Sequence, residues 1–181
     1  VDESAAKEWD AVRENEVIVT RGLYDYIERV FSQMDMPHKV VDTMVFDAFG
    51  PSSEQIVFLN CPGAVSEDGV RNLVRFVEQG GFLFTTDWAL KHVIETGFPG
   101  TLRFNGKPTG DEVVRVEIDA GEDPFLRSLI SEQDDPQWWI EGSSYPIEVL
   151  DKDKVEVLVR SEEVKEKYGE SPVFTSFNYG K

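Results

Sequence analysis

Three short runs of this chain are apolar at nearly every position: "VIVT" at 17–20, "IVFL" at 56–59 and "FLFT" at 82–85. Nothing else in the sequence restricts the fold as much. A strand with one wet face alternates apolar and polar residues, whereas a strand buried on both faces has no reason to. These runs therefore predict short strands within a parallel sheet that is covered on both sides. "HKVVD" at 38–42 predicts a further short strand.

The segments between the runs carry helical spacing. Leu23, Tyr24, Ile27, Val30, Phe31 and Met34 recur as one face of a helix, which ends near Asp35 because Pro37 follows. "AFGPSSE" at 48–54 reads as a loop. Ser66 is placed to cap a second helix, with Glu67 and Asp68 near its positive end. Val70, Leu73, Val74 and Val77 are its buried stripe, and Gly80 suits the left-handed position after it. A short helix from about Trp88 to Glu95 follows the strand 82–85.

Strands alternating with helices point to an α/β fold: a flavodoxin-like, doubly wound, mostly parallel sheet with helices on both faces. The second half is β-rich. "EVVRVEI", "QWWIEG", "YPIEVL", "KVEVLVR" and "PVFTSFNY" read as strands and "DPFLRSLI" as a short helix. This C-terminal extension is expected to add antiparallel strands to the main sheet. Residues 1–15 are a polar lead-in, and 16–181 read as a single domain.

Composition narrows the function classes. With 18 Lys and Arg against 35 Asp and Glu, the formal charge is −17, a field that repels nucleic acid and anionic membranes. No apolar stretch reaches the ~18–20 residues a membrane span needs, and no basic, apolar leader opens the sequence. The expectation is a soluble, cytoplasmic protein. One cysteine, Cys61, and two histidines, His38 and His92, exclude an intrachain disulfide and leave no Cys/His zinc set. No metal or cofactor is expected.

Ligands of parallel sheets bind beyond the carboxyl ends of the strands. Three corners fall there: Thr20–Gly22, Asn60–Ala64 and Thr85–Ala89. Arg21 supplies a positive charge, Gly63 lets backbone amides approach an anion, and Trp88 offers a flat wall. The candidate ligand residues are Arg21, Asn60, Cys61, Gly63, Thr86, Asp87 and Trp88, and the ligand class is small and polar or anionic.

"IVFLNCPG", the helix ending in "GGFLFTTDWAL" and the late "PVFTSFNYGK" resemble the class I glutamine amidotransferase-like superfamily, in its divergent and largely uncharacterised branches. The resemblance covers about residues 16–95 and 155–181. It implies that the loop "NCPG" contributes oxyanion-stabilising backbone and that a cysteine nucleophile stands at the elbow after the next strand. Here that elbow holds Thr86, Asp87 and Trp88, with no cysteine, and no histidine follows His92. The family pattern continues beyond "YGK" into another strand, so a missing last strand is part of the expectation.

Each candidate has two readings. Cys61 is a nucleophile or redox thiol, or a small buried apolar group. Asp87 is a nucleophile or ligand contact, or the cap of the helix that follows. Trp88 stacks on a ligand or covers the sheet. His92, five residues after Asp87, pairs with it or does not. His38 is exposed; Trp138 and Trp139 are an interface or core; Asp134 and Asp135 lie in a loop. The functional reading is a non-catalytic amidotransferase-like module that binds a small polar ligand or a partner protein. The alternatives are a hydrolase or transferase working through Asp87 or Cys61, and a structural domain of a larger assembly.

Overall fold

A computed structural model of the protein describes residues 13, 16–119, 123, 126 and 135–180. Most of the lead-in and most of the helix expected at 123–130 lie outside them. The chain divides into two compact units, Val1–Gly97 with Tyr179–Lys181, and Phe98–Asn178.

The first unit is built on a parallel sheet of four strands: β1 (Val17–Thr20), β2 (Lys39–Val41), β3 (Ile56–Leu59) and β4 (Phe82–Thr85), in the order β2-β1-β3-β4. Ile18 aligns with Val57, and Val57 with Leu83. All four strands are where the apolar runs placed them. Alternate residues face opposite ways. Ile18, Val57 and Leu59 are buried in a cluster with Phe46, Val70, Leu73, Phe76 and Val93. Phe58 is on the other face, where Phe31 meets it edge-on at 4.9 Å between ring centroids and Phe84 lies at 5.4 Å.

Helix α1 (Ile27–Gln33) is shorter than its periodicity. Its predicted first turn is absent because the chain folds back on itself at Gly22. A Cβ there would lie 1.7 Å from the Asp25 carbonyl oxygen, so only glycine permits this turn. A one-turn helix, α2 (Val45–Ala48), replaces the start of the expected loop and buries Phe46. Helix α3 (Glu67–Glu78) starts as expected: the Ser66 hydroxyl accepts the Gly69 amide at 3.2 Å. Its deepest residues are Gly69, Val70, Leu73 and Phe76, one step round from the predicted stripe. Gly80 has φ +98°. After β4, the expected helix is a π-helical turn, Leu90–Ile94, running into α4 (Glu95–Gly97).

The second unit has three small sheets of its own, and among the described residues none of its strands joins the parallel sheet. β5 (Leu102–Phe104) pairs with β9 (Ile147–Val149), and β6 (Glu112–Arg115) with β8 (Gln137–Ile140). β10 (Val155–Arg160) lies between β7 (Glu117–Ile118) and β11 (Pro172–Phe177). All are antiparallel. The single strand expected from "EVVRVEI" is thus two, serving different ladders. Helix α5 (Glu162–Tyr168) is capped by the Ser161 hydroxyl and closed by Gly169 at φ +95°. Val114, Val116, Leu126, Leu158, Val159 and Val164 form this unit's core.

Candidate functional site

Strands β1, β3 and β4 are parallel neighbours, so their carboxyl ends share one edge. The chain moves from β1 to β2 on one side and returns to β3 on the other, which puts the reversal of strand order between β1 and β3. The loops after the strands are bonded together there. The Leu23 amide donates to the Cys61 carbonyl at 3.1 Å, and the Thr86 amide to the Leu59 carbonyl at 3.2 Å. The Tyr24 and Trp88 rings lie 5.2 Å apart.

Asn60 is the fastening between the first two loops. Its amide donates to Thr20 Oγ1 at 2.9 Å, and its side-chain Nδ2 donates to the Thr20 carbonyl and to Glu28 Oε2, each at 2.8 Å. Asn60 is only 1% exposed. Two acceptors on one end of the carboxamide fix its orientation, because an oxygen there would face two oxygens.

The other predicted residues take specific places. Cys61 is buried, 2% exposed, as a small apolar side chain of the core would be. The Gly63 amide is used in its own turn, donating to the Asn60 carbonyl at 2.9 Å, so it is not offered to an anion. Gly63 has φ +64°, and a Cβ on it would lie 2.5 Å from Ala89 Cβ. Glycine is needed there for close packing as well as backbone freedom. The Arg21 guanidinium faces Asp42 after β2, at 3.7 Å, with both side chains largely exposed.

Asp87 has φ +42°. A β-to-helix elbow with one residue in a sparsely populated conformation is the geometry that exposes a nucleophile in many hydrolases. It is present here with an aspartate in that position. The Asp87 carbonyl accepts the Leu90 amide at 2.9 Å, while the helical turn beginning at Leu90 has Ala89 at its N-cap and no side-chain cap. The Asp87 backbone thus closes the turn that leads into this helix. His92 Nδ1 donates to the Pro62 carbonyl at 2.7 Å, which assigns its proton to that nitrogen.

Of the remaining candidates, His38 is half-buried and its Nδ1 is 2.8 Å from the Met36 carbonyl. The tryptophan pair divides: Trp138 packs against the second unit's core, and Trp139, exposed, donates to Asp111 Oδ1 at 2.7 Å. Asp135 accepts from Arg115 Nε at 2.9 Å; Asp134 is outside the described residues.

The residue that sequence reasoning missed is Asp25. The Gly22 turn brings its carboxyl to the same edge, where Thr86 Oγ1 donates to Oδ2. Burial pushes its pKa above the ordinary range of an aspartate, and the nearby Glu28 charge adds to the rise. The Thr86 hydroxyl and the backbone amides of Cys61 and Asp25 pull it back in part. Oδ1 of Asp25 and Oδ1 of Asn60 are both buried without a hydrogen-bond partner, the two such side-chain atoms among the described residues. Gly22 followed three residues later by an acid, just after a strand, was the available signal.

With Asp25 and Asp87 on its loops, Glu28 in the first turn of α1 and Arg21 facing Asp42, this edge is acceptor-rich. Among the described residues no set of three or more His, Cys, Asp or Glu side chains is arranged to hold a metal ion, and no helix is long and apolar enough to cross a membrane. The sequence matches no protein-family model and no curated protein.

Proposed function

We propose that the first unit is a flavodoxin-like, doubly wound, amidotransferase-like module without glutaminase chemistry, which binds a small polar ligand at the carboxyl edge of its sheet. The strand order β2-β1-β3-β4 supports the fold reading, together with apolar packing on both faces of the sheet. The observation that carries the functional reading is the elbow: the strained corner is intact and holds Asp87, while the single thiol, on Cys61, is buried on the neighbouring loop. A thiolate mechanism needs an accessible sulfur beside a base. His92, the one histidine near these corners in sequence, is bonded to the Pro62 carbonyl.

A partner protein is the second reading, favoured by Leu23, Tyr24 and Met44, which expose large apolar side chains on the loops after β1 and β2. The test of the primary reading has two arms. Ammonia release from glutamine should not exceed a blank; release that disappears on Cys61→Ser overturns the non-catalytic reading. A thermal-shift screen of cationic, neutral and anionic polar compounds should yield a binder whose effect is lost on Trp88→Ala, and a screen in which no compound of any charge binds overturns the ligand reading.

A further inference from the structure

We propose that the corner formed by Asp25, Glu28 and Asn60 binds the primary ammonium group of an amine ligand. The inference rests on the reading of this edge as a ligand site and names the chemistry of what it takes.

The first support is Asn60. Both protons of its buried amide nitrogen have acceptors, Thr20 O and Glu28 Oε2, and its oxygen has no donor. The second is independent of it: Thr86 Oγ1 donates to Asp25 Oδ2, while Oδ1 is buried with no partner in hydrogen-bond geometry, the backbone amides of Cys61 and Asp25 lying near enough to the carboxyl to lower its pKa in part. The residues belong to one corner. The Cys61 amide, next in the chain after Asn60, acts on the Asp25 carboxyl, and the Leu23 amide in the Asp25 loop donates to the Cys61 carbonyl. Native proteins seldom leave a buried acceptor unpaired, and such groups call for an account.

What both oxygens lack is a donor. An anion supplies none. A primary ammonium supplies three N–H donors and a positive charge that offsets the partly buried carboxylates of Asp25 and Glu28. The two oxygens lie below the accessible surface. The entering group is therefore small, and it approaches beside the Gly22–Tyr26 loop, where Leu23 and Tyr24 are exposed. The Tyr24 and Trp88 rings pack against each other at the same edge, 5.2 Å between centroids.

The net charge of −17 makes any cation weakly stabilising, so the experiment separates charge from donors. Thermal unfolding of the whole chain is followed in ethylammonium chloride and in tetramethylammonium chloride at equal ionic strength, with magnesium chloride as a third arm. The first two cations screen alike, and only ethylammonium has N–H groups. The expected result is an additional, saturable rise in Tm with ethylammonium alone. Asp25→Asn and Glu28→Gln keep side-chain shape and should fold. Each should weaken the apparent affinity about 10-fold or more, as loss of a charge-assisted hydrogen bond does. Equal shifts from the two ammonium salts, a larger shift from magnesium, or an ethylammonium effect unchanged in Asp25→Asn overturns the proposal. If a neutral or anionic compound binds this edge while ethylammonium does not, the amine inference falls and the ligand reading stands.

Discussion

Replacing Gly63 with alanine separates two reasons for a glycine at the loop after β3. Gly63 and Gly80 both have positive φ, +64° and +98°. A Cβ on Gly80 meets nothing within 4 Å, whereas one on Gly63 lies 2.5 Å from Ala89 Cβ, 3.0 Å from Ala89 Cα and 3.4 Å from Leu59 Cδ2. Gly80→Ala therefore carries the left-handed backbone strain alone, about 1–2 kcal/mol. Gly63→Ala carries that strain plus overpacking of about 1–3 kcal/mol against a backbone atom and a buried methyl, or about 2–5 kcal/mol in total. Urea unfolding followed by far-UV circular dichroism measures both, and unchanged m-values show that the native states are comparable. Adding Ala89→Gly to Gly63→Ala removes the nearest clash, so the double variant should be more stable than the sum of the single changes by about 1–3 kcal/mol. If Gly63→Ala costs no more than Gly80→Ala, or if the pair is additive, the loop does not lean on the elbow helix and the glycine at 63 has another cause.

Asp25→Asn reports on the buried carboxyl through pH. The folded state holds the Asp25 proton more tightly than the unfolded chain does, so this group's stabilising contribution is full below about pH 4 and is lost as pH rises through the raised folded value. The variant escapes that loss; its Tm relative to the parent should climb as pH rises above about 4, and a difference that stays flat or falls refutes the assignment. Ser66→Ala removes an N-cap whose hydroxyl accepts the Gly69 amide and donates to Asp47 Oδ1 at 2.6 Å. It should cost about 1–2 kcal/mol by urea unfolding, and a loss below about 0.5 kcal/mol would mean that the cap is not supporting α3.

The parallel sheet was legible because its strands are apolar runs with no alternation, although only β1 is buried throughout, Ile56 of β3 being exposed and β4 half-buried. The cap at Ser66 and the left-handed Gly80 were legible because each is a local stereochemical demand. The antiparallel half was legible as strands but not as ladders, since period two reveals a face and says nothing about a partner. "EVVRVEI" shows this: Val113 faces Trp139 in one ladder while Ile118 faces Val159 in another. Helix α5 escaped notice with Val164 as its only fully buried residue, too little for a stripe, although Ser161 and Gly169 marked both its ends. Asp25 was hidden by a periodicity that was partly false. Leu23 and Tyr24 fit the helical face of Ile27, Val30 and Phe31, yet they are exposed on a turn that Gly22 alone allows.

The elbow and the polar corner differ in what holds them. Asp87 keeps a strained backbone, a conformation worth of order 1–3 kcal/mol that persists only where its surroundings over-determine it. Those surroundings are visible: Thr86 is fixed to the Leu59 carbonyl by its amide, and Ala89, fully buried, fills the space that Gly63 leaves. Packing between two loops thus contributes to holding the elbow. The Asp25–Asn60 corner has no such packing reason. Its two oxygens lack donors, and its carboxyl is held above its ordinary pKa by the burial that the Gly22 turn imposes. A fold can carry an elbow without chemistry, because the elbow comes with the sheet. Unpaired acceptors at the reversal of strand order do not come with the sheet, and the residues that create them are the ones to change first.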